Sequence, residues 1–430
     1  MKNQLYRIFF LVLFLNIGCQ QRKSETVLLY PDHTNYPYVI NIVEGIGHAC
    51  VFKLSEIADS ISFISLETNE NVLLASAGPV HIDKRNIFVG TIQGQTSSYI
   101  YRFDIEGSFI NTVGKIGRGP GEYLTMSFSI DPESEEVIVF RWLGPRDFIV
   151  FDYSGYFKGK LPLISQNAMQ FEVGKDRVII VQPYGYSVKG QKSIIDDLKM
   201  YQVFDKSGQL IDAVPSPFLA GVNLITSEGT WYSSQSGISD FTFYNGQPVM
   251  SGQNNDTSFV LTEEGLKPAF ILNREEFSPD YNQRYQISPN NTRFLEGLSK
   301  YFETPKFVFR YLDMEGIRYL FRYEKATTDV SSMQFTHKGK IHGRYFFDDF
   351  GFTDDLSGGP SFYPNWTNKE GDIWIACYSS SEFRERYGSN QYQTEQALAA
   401  PFANERIKVA ESLTDDSNPV IIMVHLKKYR

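Results

Sequence analysis

The sequence predicts an all-β chain, specifically a six-bladed β-propeller closed by its N-terminal strand pairing with the last blade. Three observations lead there. Aromatic residues make up 15% of the 430 positions, with 34 Phe and 26 Tyr, the residue types that suit a pleated, half-buried surface. From Val51 onward, short apolar runs alternate with turn residues, the mark of a many-stranded chain. Above all, a strand-turn-strand unit repeats. Tyr99-Ile-Tyr-Arg-Phe-Asp104-Ile-Glu-Gly107 is echoed by Phe148-Ile-Val-Phe-Asp152-Tyr-Ser-Gly155, by Tyr201-Gln-Val-Phe-Asp205-Lys-Ser-Gly208, and more loosely by Ser258-Phe-Val-Leu-Thr262-Glu-Glu-Gly265. The four glycines stand 48, 53 and 57 residues apart, and a period of about 50 is that of a four-stranded blade. The Asp can hydrogen-bond backbone just ahead of it, while Gly supplies the positive φ of the turn.

The N-terminal residues read as a targeting segment. Lys2 and Arg7 lie near the start, and an apolar stretch runs from Ile8 to Leu15, too short for a bilayer span of about 20 residues. Asn16-Ile17-Gly18-Cys19 follows and resembles a bacterial lipoprotein signal. Residues 1–18 are then a signal peptide and Cys19 the lipidated residue, which makes the protein membrane-anchored without spanning. Gln20-Gln21-Arg22-Lys23 lacks an acidic run, so the expected place is the cell envelope, on the periplasmic side of the outer membrane. Residues 19–50 read as a polar tether and 51–430 as the propeller. Ser60 to Thr68 is a spare strand before the first blade opens near Pro79. A fifth copy of the repeat runs from Ile317 to Met333. The sixth is split among Ser361–Trp366, Asp372–Tyr378 and Val420–Lys427, and it lacks a fourth strand. Supplying it from the N-terminus removes long free edges. Competing readings are a seven-bladed ring and a pair of sandwiches. The split also predicts a small helical insertion at about 379–418, where Ala397, Leu398, Phe402, Ile407, Ala410 and Leu413 recur every three to four residues and Pro401 kinks or restarts the helix.

Four segments carry a family resemblance: Ile64-Ser-Leu-Glu-Thr-Asn69, Val113-Gly-Lys-Ile-Gly-Arg-Gly-Pro-Gly-Glu-Tyr123, Asn255-Asp256-Thr257, and Asp354-Asp355-Leu-Ser-Gly-Gly-Pro-Ser-Phe-Tyr-Pro364. They resemble stretches of a family of six-bladed β-propeller lipoproteins found in Bacteroidota, over about residues 55–430. The resemblance implies a propeller fold and an envelope location, and it transfers no catalytic residue.

Strand order sorts the connections onto two rims. One rim receives short turns such as Asp83-Lys-Arg85 and Asp131–Glu135. The other receives the long segments, among them Gly114–Tyr123, Trp142–Arg146, Tyr186–Leu198, Asn273–Arg293, Thr336–Gly359 and Ser379–Asn418. Long loops on a rigid scaffold are the usual seat of binding, so the ligand site is expected on the long-loop rim. Its candidate residues are Arg118, Glu122 and Tyr123 of the glycine-rich loop, with Arg141, Trp142 and Arg146 of the next. Arginine can grip a carboxylate bidentately and Trp can stack on a sugar or ring.

The chemistry expected is binding. The net charge of −9 without a basic run argues against nucleic acid as a partner, and the sequence calls for no cofactor. The partners expected are a glycan, a peptide or an envelope protein, with the membrane reached through the lipid anchor only. The chain would serve as a non-catalytic binding or scaffold module. The alternative is a metal-dependent lyase or hydrolase at the channel mouth. Of the six histidines, His81 and His425 fall within expected strands, and His337 and His342 lie on the long-loop rim near Asp348, Asp349, Asp354 and Asp355. They lack a recognisable ligand spacing, and the metal question stays open. Cys50 and Cys377 either pair or remain as two buried thiols. A third possibility is a structural partner that docks through Glu395 to Leu413.

Overall fold

The computed structural model describes residues 36–428 apart from 75–76, 94–96, 125–126, 142–146, 162–167, 175–178, 184, 188–198, 216–231, 235–238, 253–254, 279–295, 342–343 and 348. The chain is mainly β with a β-propeller arrangement. Its principal sheets are five of four strands and one of five. In chain order the first holds Val80–Ile82, Asn86–Gln93, Ser97–Asp104 and Phe109–Thr112; the second Phe128–Asp131, Glu136–Phe140, Phe148–Asp152 and Phe157–Lys160. The third holds Ala168–Val173, Ile179–Pro183, Lys199–Phe204 and Leu210–Pro215; the fourth Ser239–Tyr244, Gln247–Gly252, Thr257–Thr262 and Gly265–Asn273. The fifth holds Glu296–Glu303, Phe307–Met314, Ile317–Glu324 and Val330–Thr336; the sixth Trp366–Thr367, Ile373–Tyr378, Val420–Leu426 and, from the N-terminal end, Ala58–Ser65.

The repeat reappears as one turn used three times between third and fourth strands. Asp104 Oδ1 accepts from the backbone N–H of Glu106 and Ser108, Asp152 Oδ1 from that of Tyr156, and Asp205 Oδ1 from those of Ser207 and Gln209. Gly107, Gly155 and Gly208 follow at φ of 92°, 87° and 83°, the region that only glycine enters without strain. In the fourth copy Thr262 takes the role of the Asp, its hydroxyl accepting from Glu264 N–H at 3.2 Å.

Apolar side chains fill the seams between consecutive sheets. Phe88, Val139 and Phe151 join the first to the second, Phe140 and Phe171 the second to the third, Met200 and Met250 the third to the fourth. Phe270 and Tyr301 stack across the next seam, and Phe309 meets Trp374 across the one after. Ile375 and Met423 of the sixth sheet pack with Val80, Val89 and Tyr101 of the first. Each fully buried Phe, Leu or Ile contributes about 1.5–3 kcal/mol, so the seams rather than single sheets hold the fold. The strand expected at Ser60–Thr68 is Ala58–Ser65, antiparallel to Val420–Leu426 with Ile61 opposite Val424 and Phe63 opposite Ile422.

Two expectations meet corrections, and the helical insertion is found where expected. The stretch expected as tether up to residue 50 is ordered from Tyr36: Tyr38–Asn41 adds a parallel fifth strand to the fourth sheet, and the helix Ile42–Ile46 buries Ile42 and Gly45 beside the fifth. Four residues show no period, yet an open sheet edge is enough to order them. The helical insertion is present but broken into Ser380–Tyr387, Glu395–Leu398 and Ala403–Ser412, the break falling at Pro401. Part of its apolar stripe packs inward, with Phe383, Tyr387, Ala410 and Leu413 in one cluster with Phe63, while Leu398 is exposed. Cys50 and Cys377 are both free, and Cys50 is exposed rather than buried. Among the described residues no helix is long and apolar enough to cross a membrane.

Candidate functional site

The glycine-rich loop expected to bind ligand is tied together from inside. Glu122 folds back so that its Oε2 accepts from Gly119 N–H at 2.7 Å. Tyr123 is buried, donates to the Val113 carbonyl at 2.5 Å and accepts from Ile100 N–H at 3.3 Å. Arg141 is buried too. Its Nε and one terminal nitrogen each lie 2.6 Å from the two Asp147 carboxylate oxygens, and its other terminal nitrogen reaches the Gly119 and Glu122 carbonyls at 3.3 Å. Burial alone would raise the Asp147 carboxyl, but hydrogen bonds from Arg141 and Lys160 hold it below the usual carboxylate range. Arg118 is exposed. Trp142 and Arg146 lie outside the described residues, as does Cys19. The structure thus brings Glu122, Tyr123 and Arg141 together as a brace.

The Asp354 motif is also internal. Asp354 accepts from the backbone N–H of Leu356 and Ser357, and Asp355 from the backbone and hydroxyl of Ser55 at 2.9 and 2.6 Å. Gly358, at φ 64°, leaves room only for hydrogen: a Cβ there would stand 2.2 Å from the Ala397 carbonyl oxygen. Arg406, fully buried, donates to the carbonyls of Ser357, Tyr387 and Tyr392 at 3.0, 2.5 and 2.9 Å. The motif therefore seats the helical insertion. Asp349 accepts from Ser361 N–H at 3.1 Å, and Asp348 and His342 lie outside the described residues. His81 and His425 are in strands as expected; His81 Nε2 lies 2.9 Å from the Phe128 carbonyl oxygen, and His425 Nε2 3.2 Å from Ser62 Oγ.

A cavity of about 390 Å³ opens on the opposite rim, among the short turns. It is walled by Asp83–Asn86 of the first sheet, Ile130–Glu135 of the second, Val173 and Gly174 of the third, Phe243 and Asn245–Gln247 of the fourth, and Lys369 and Glu370 of the sixth. Each turn joins the first strand of its sheet to the second, and first strands of neighbouring sheets touch one another, as Trp366–Thr367 touches Val80–Ile82. Five sheets thus line one mouth at the ends of their first strands.

The wall is built rigidly. Asp83 Oδ1 accepts from the N–H groups of Arg85 and Asn86, both at 2.8 Å, which closes the first turn. Below the cavity Lys369 is paired with Glu172 and donates to Ser129 Oγ at 3.0 Å and to the Val173 carbonyl at 2.8 Å. Its ammonium stands 4.6 Å from the centre of the Phe243 ring, a cation–π distance. Ser129 in turn donates to Glu172. Burial would raise the Glu172 carboxyl, but the Lys369 ammonium paired with it holds it below its usual range. Burial pushes the His81 imidazole down, which favours its neutral form. These groups satisfy one another and form a floor under Phe243, Ile130 and Pro132. The carboxyl of Glu370 is pushed up, first by burial and then by Asp372 and Asp83 nearby.

No residue of this cavity was singled out as a site from the sequence. The available signal was the recurrence of acidic and amide residues in very short turns: Asp83, Asp131, Glu133, Glu135, Asn245, Asn368 and Glu370. The chain belongs to the family described as a domain of unknown function, DUF4934, whose model matches residues 37–425. Among solved structures it is similar to a candidate exported protein of Bacteroides fragilis, at 17% identity and a TM-score of 0.59 over 91% of this chain and 99% of that one. A more distant likeness is to an oligogalacturonate lyase in complex with manganese, at 9% identity and a TM-score of 0.35 over 86% of this chain and 91% of that one. The first likeness concerns the fold alone, and the second brings neither manganese nor lyase activity to this chain. No curated protein matches the chain.

Proposed function

We propose that the chain is a cell-envelope lipoprotein, anchored to the outer membrane through Cys19 on the periplasmic side, that works as a non-catalytic binding module. In this reading the six principal sheets are six blades of one ring, and the Ala58–Ser65 strand closes it. The pairing of Ala58–Ser65 with Val420–Leu426 and the apolar seam between the sixth and first sheets support closure. The ligand is a glycan fragment or peptide held in the cavity of the short-turn rim. One observation carries this: five sheets converge on a concave mouth with an apolar wall at Phe243 and Ile130 and polar groups around it, the composition of a small-molecule site. The side chains that could act as nucleophile or base there, Ser129, Glu172 and Lys369, are hydrogen-bonded to each other, which favours holding a ligand over transforming it. The opposite rim, with Arg118 exposed, is then the surface for a larger envelope partner.

The test is retention of small molecules from an envelope extract, read by native mass spectrometry. Glu133→Trp, an exposed position at the cavity edge, should abolish retention, and Arg118→Ala with Trp142→Ala should leave it intact. The reverse outcome moves the site back to the long-loop rim.

A further inference from the structure

The N-terminal part of the chain runs as a belt over the outer edges of successive sheets. Tyr38–Asn41 lies parallel to the end of Gly265–Asn273 on the outer edge of the fourth. Ala49 then pairs in parallel with Ser332 on the outer edge of the fifth. There the Ser332 N–H donates to the His48 carbonyl at 2.9 Å and the Cys50 N–H to the Ser332 carbonyl at 2.8 Å. Ala58–Ser65 fills the outermost place of the sixth sheet. The three segments open at Tyr38, His48 and Ala58, ten residues apart each time. We propose that the belt extends one blade further back: Val27-Leu28-Leu29-Tyr30 docks as a parallel strand on the outer edge of the third sheet, Leu210–Pro215.

One step of the same length before Tyr38 is Leu28, in a run of four apolar or aromatic residues followed by Pro31-Asp32. The run lies outside the described residues, and its composition is that of a strand ahead of a turn. The receiving edge is open. Among the described residues no strand pairs with the outer side of Leu210–Pro215, and Leu210 and Ile211 are 46% and 51% exposed. Such an edge is a template for another strand. Val39 marks the path between the two edges. Tyr38 and Ile40 turn into the seam with the fifth sheet, where the Tyr38 ring stands 5.8 Å from that of Tyr323. Side chains alternate along a strand, so Val39, 55% exposed, faces the third-sheet side. The outer strands of the third and fourth sheets are neighbours there, with the Leu266 N–H donating to Asp212 Oδ2 at 2.6 Å. A chain crossing from the third edge to the fourth passes over this cleft and covers Val39, Leu210 and Ile211 together. The reach suffices: six residues, 42–47, carry the chain from the fourth edge to the fifth, and the equivalent connection has seven, 31–37. The docked belt leaves seven residues, 20–26, between the ring and the anchor proposed at Cys19.

Neighbouring strands stand about 4.8 Å apart, within reach of a disulfide. The test uses the full-length protein with Cys19→Ser and Cys50→Ser, so that it does not depend on the anchor. Leu28→Cys or Leu29→Cys is combined with Ile211→Cys or Ala213→Cys, and the dilute protein is oxidised and mapped by peptide mass spectrometry. At least one pair should close within the monomer about tenfold faster than Leu28→Cys with Ile110→Cys, an exposed position on the outer strand of the first sheet. In a second measurement, Leu28→Asp with Leu29→Asp should speed hydrogen exchange of 210–215 about tenfold and leave that of 38–41 as in the wild type. Thermal melting should show the ring of both proteins intact. Closure no faster than the Ile110 control, or equal exchange of 210–215 in the two proteins, overturns the docking. Disulfides that join two chains assign the edge to a second copy and overturn it as well. Either failure leaves the cavity reading standing, because no residue of the cavity is altered.

Discussion

Arg141 and Asp147 meet as a two-point pair, each carboxylate oxygen 2.6 Å from a different guanidinium nitrogen, with the arginine side chain only 4% exposed. Removing one partner strands a buried charge, which costs about 3–5 kcal/mol. Asp147→Asn should therefore lower unfolding free energy by about that amount, and Arg141→Met by less, because Lys160 at 3.0 Å still pairs the Asp147 carboxylate. The Asp147 carboxyl lies below its unfolded value, so its contribution is fully present above the unfolded pKa of about 3.9 and is lost as pH falls through the folded one. Urea titrations at neutral and acidic pH check both: the wild type and Asp147→Asn should converge at low pH.

The helical insertion depends on Arg406, which satisfies three carbonyls from two directions. Arg406→Leu leaves them buried and unpaired, at about 1–3 kcal/mol each. Limited proteolysis should then cut between 388 and 402 far faster than in the wild type, while the β signal in circular dichroism stays. Gly358→Ala should act in the same direction through its contact with Ala397.

The two described cysteines should differ sharply in reactivity. Cys50 is exposed, whereas burial first, and Glu382 second, push the Cys377 thiol up to about 12. Since the thiolate is the reacting species, a maleimide should label the exposed Cys50 at once and the half-buried Cys377 far more slowly. Rapid labelling of both would contradict the packing at the end of Ile373–Tyr378.

The turn glycines test the repeat. Gly155 sits at φ 87°, and a Cβ there would stand 2.6 Å from the Thr112 carbonyl oxygen on the neighbouring blade. Gly155→Ala should cost about 1–3 kcal/mol, visible as a lowered melting temperature. Gly47→Ala, at φ −84° with nothing within 4 Å of a Cβ, should cost less.

The fold was legible because its signals are local. Asp104, Asp152 and Asp205 each close their own turn, so the repeat survives in the sequence even where Thr262 replaces the acid. The spare strand at Ser60 was legible by arithmetic, since the last copy lacked one. The cavity was not, because it is assembled from two to five residues per sheet that lie up to 287 positions apart and meet only through the arrangement of sheets. Long loops drew attention to Glu122, Tyr123 and Arg141, but a sequence does not distinguish an arginine that reaches for a ligand from one that braces Gly119 and Asp147. Tyr38–Asn41 was missed because four residues carry no period, and only the edge at Gly265–Asn273 makes them a strand.

The most direct measurement is hydrogen–deuterium exchange with and without a saturating envelope extract. Slowed exchange is expected at 83–86, 131–135, 243–247 and 369–370 together, because one ligand in one mouth touches all four turns. Protection confined to 113–124, with those turns unchanged, would contradict the site.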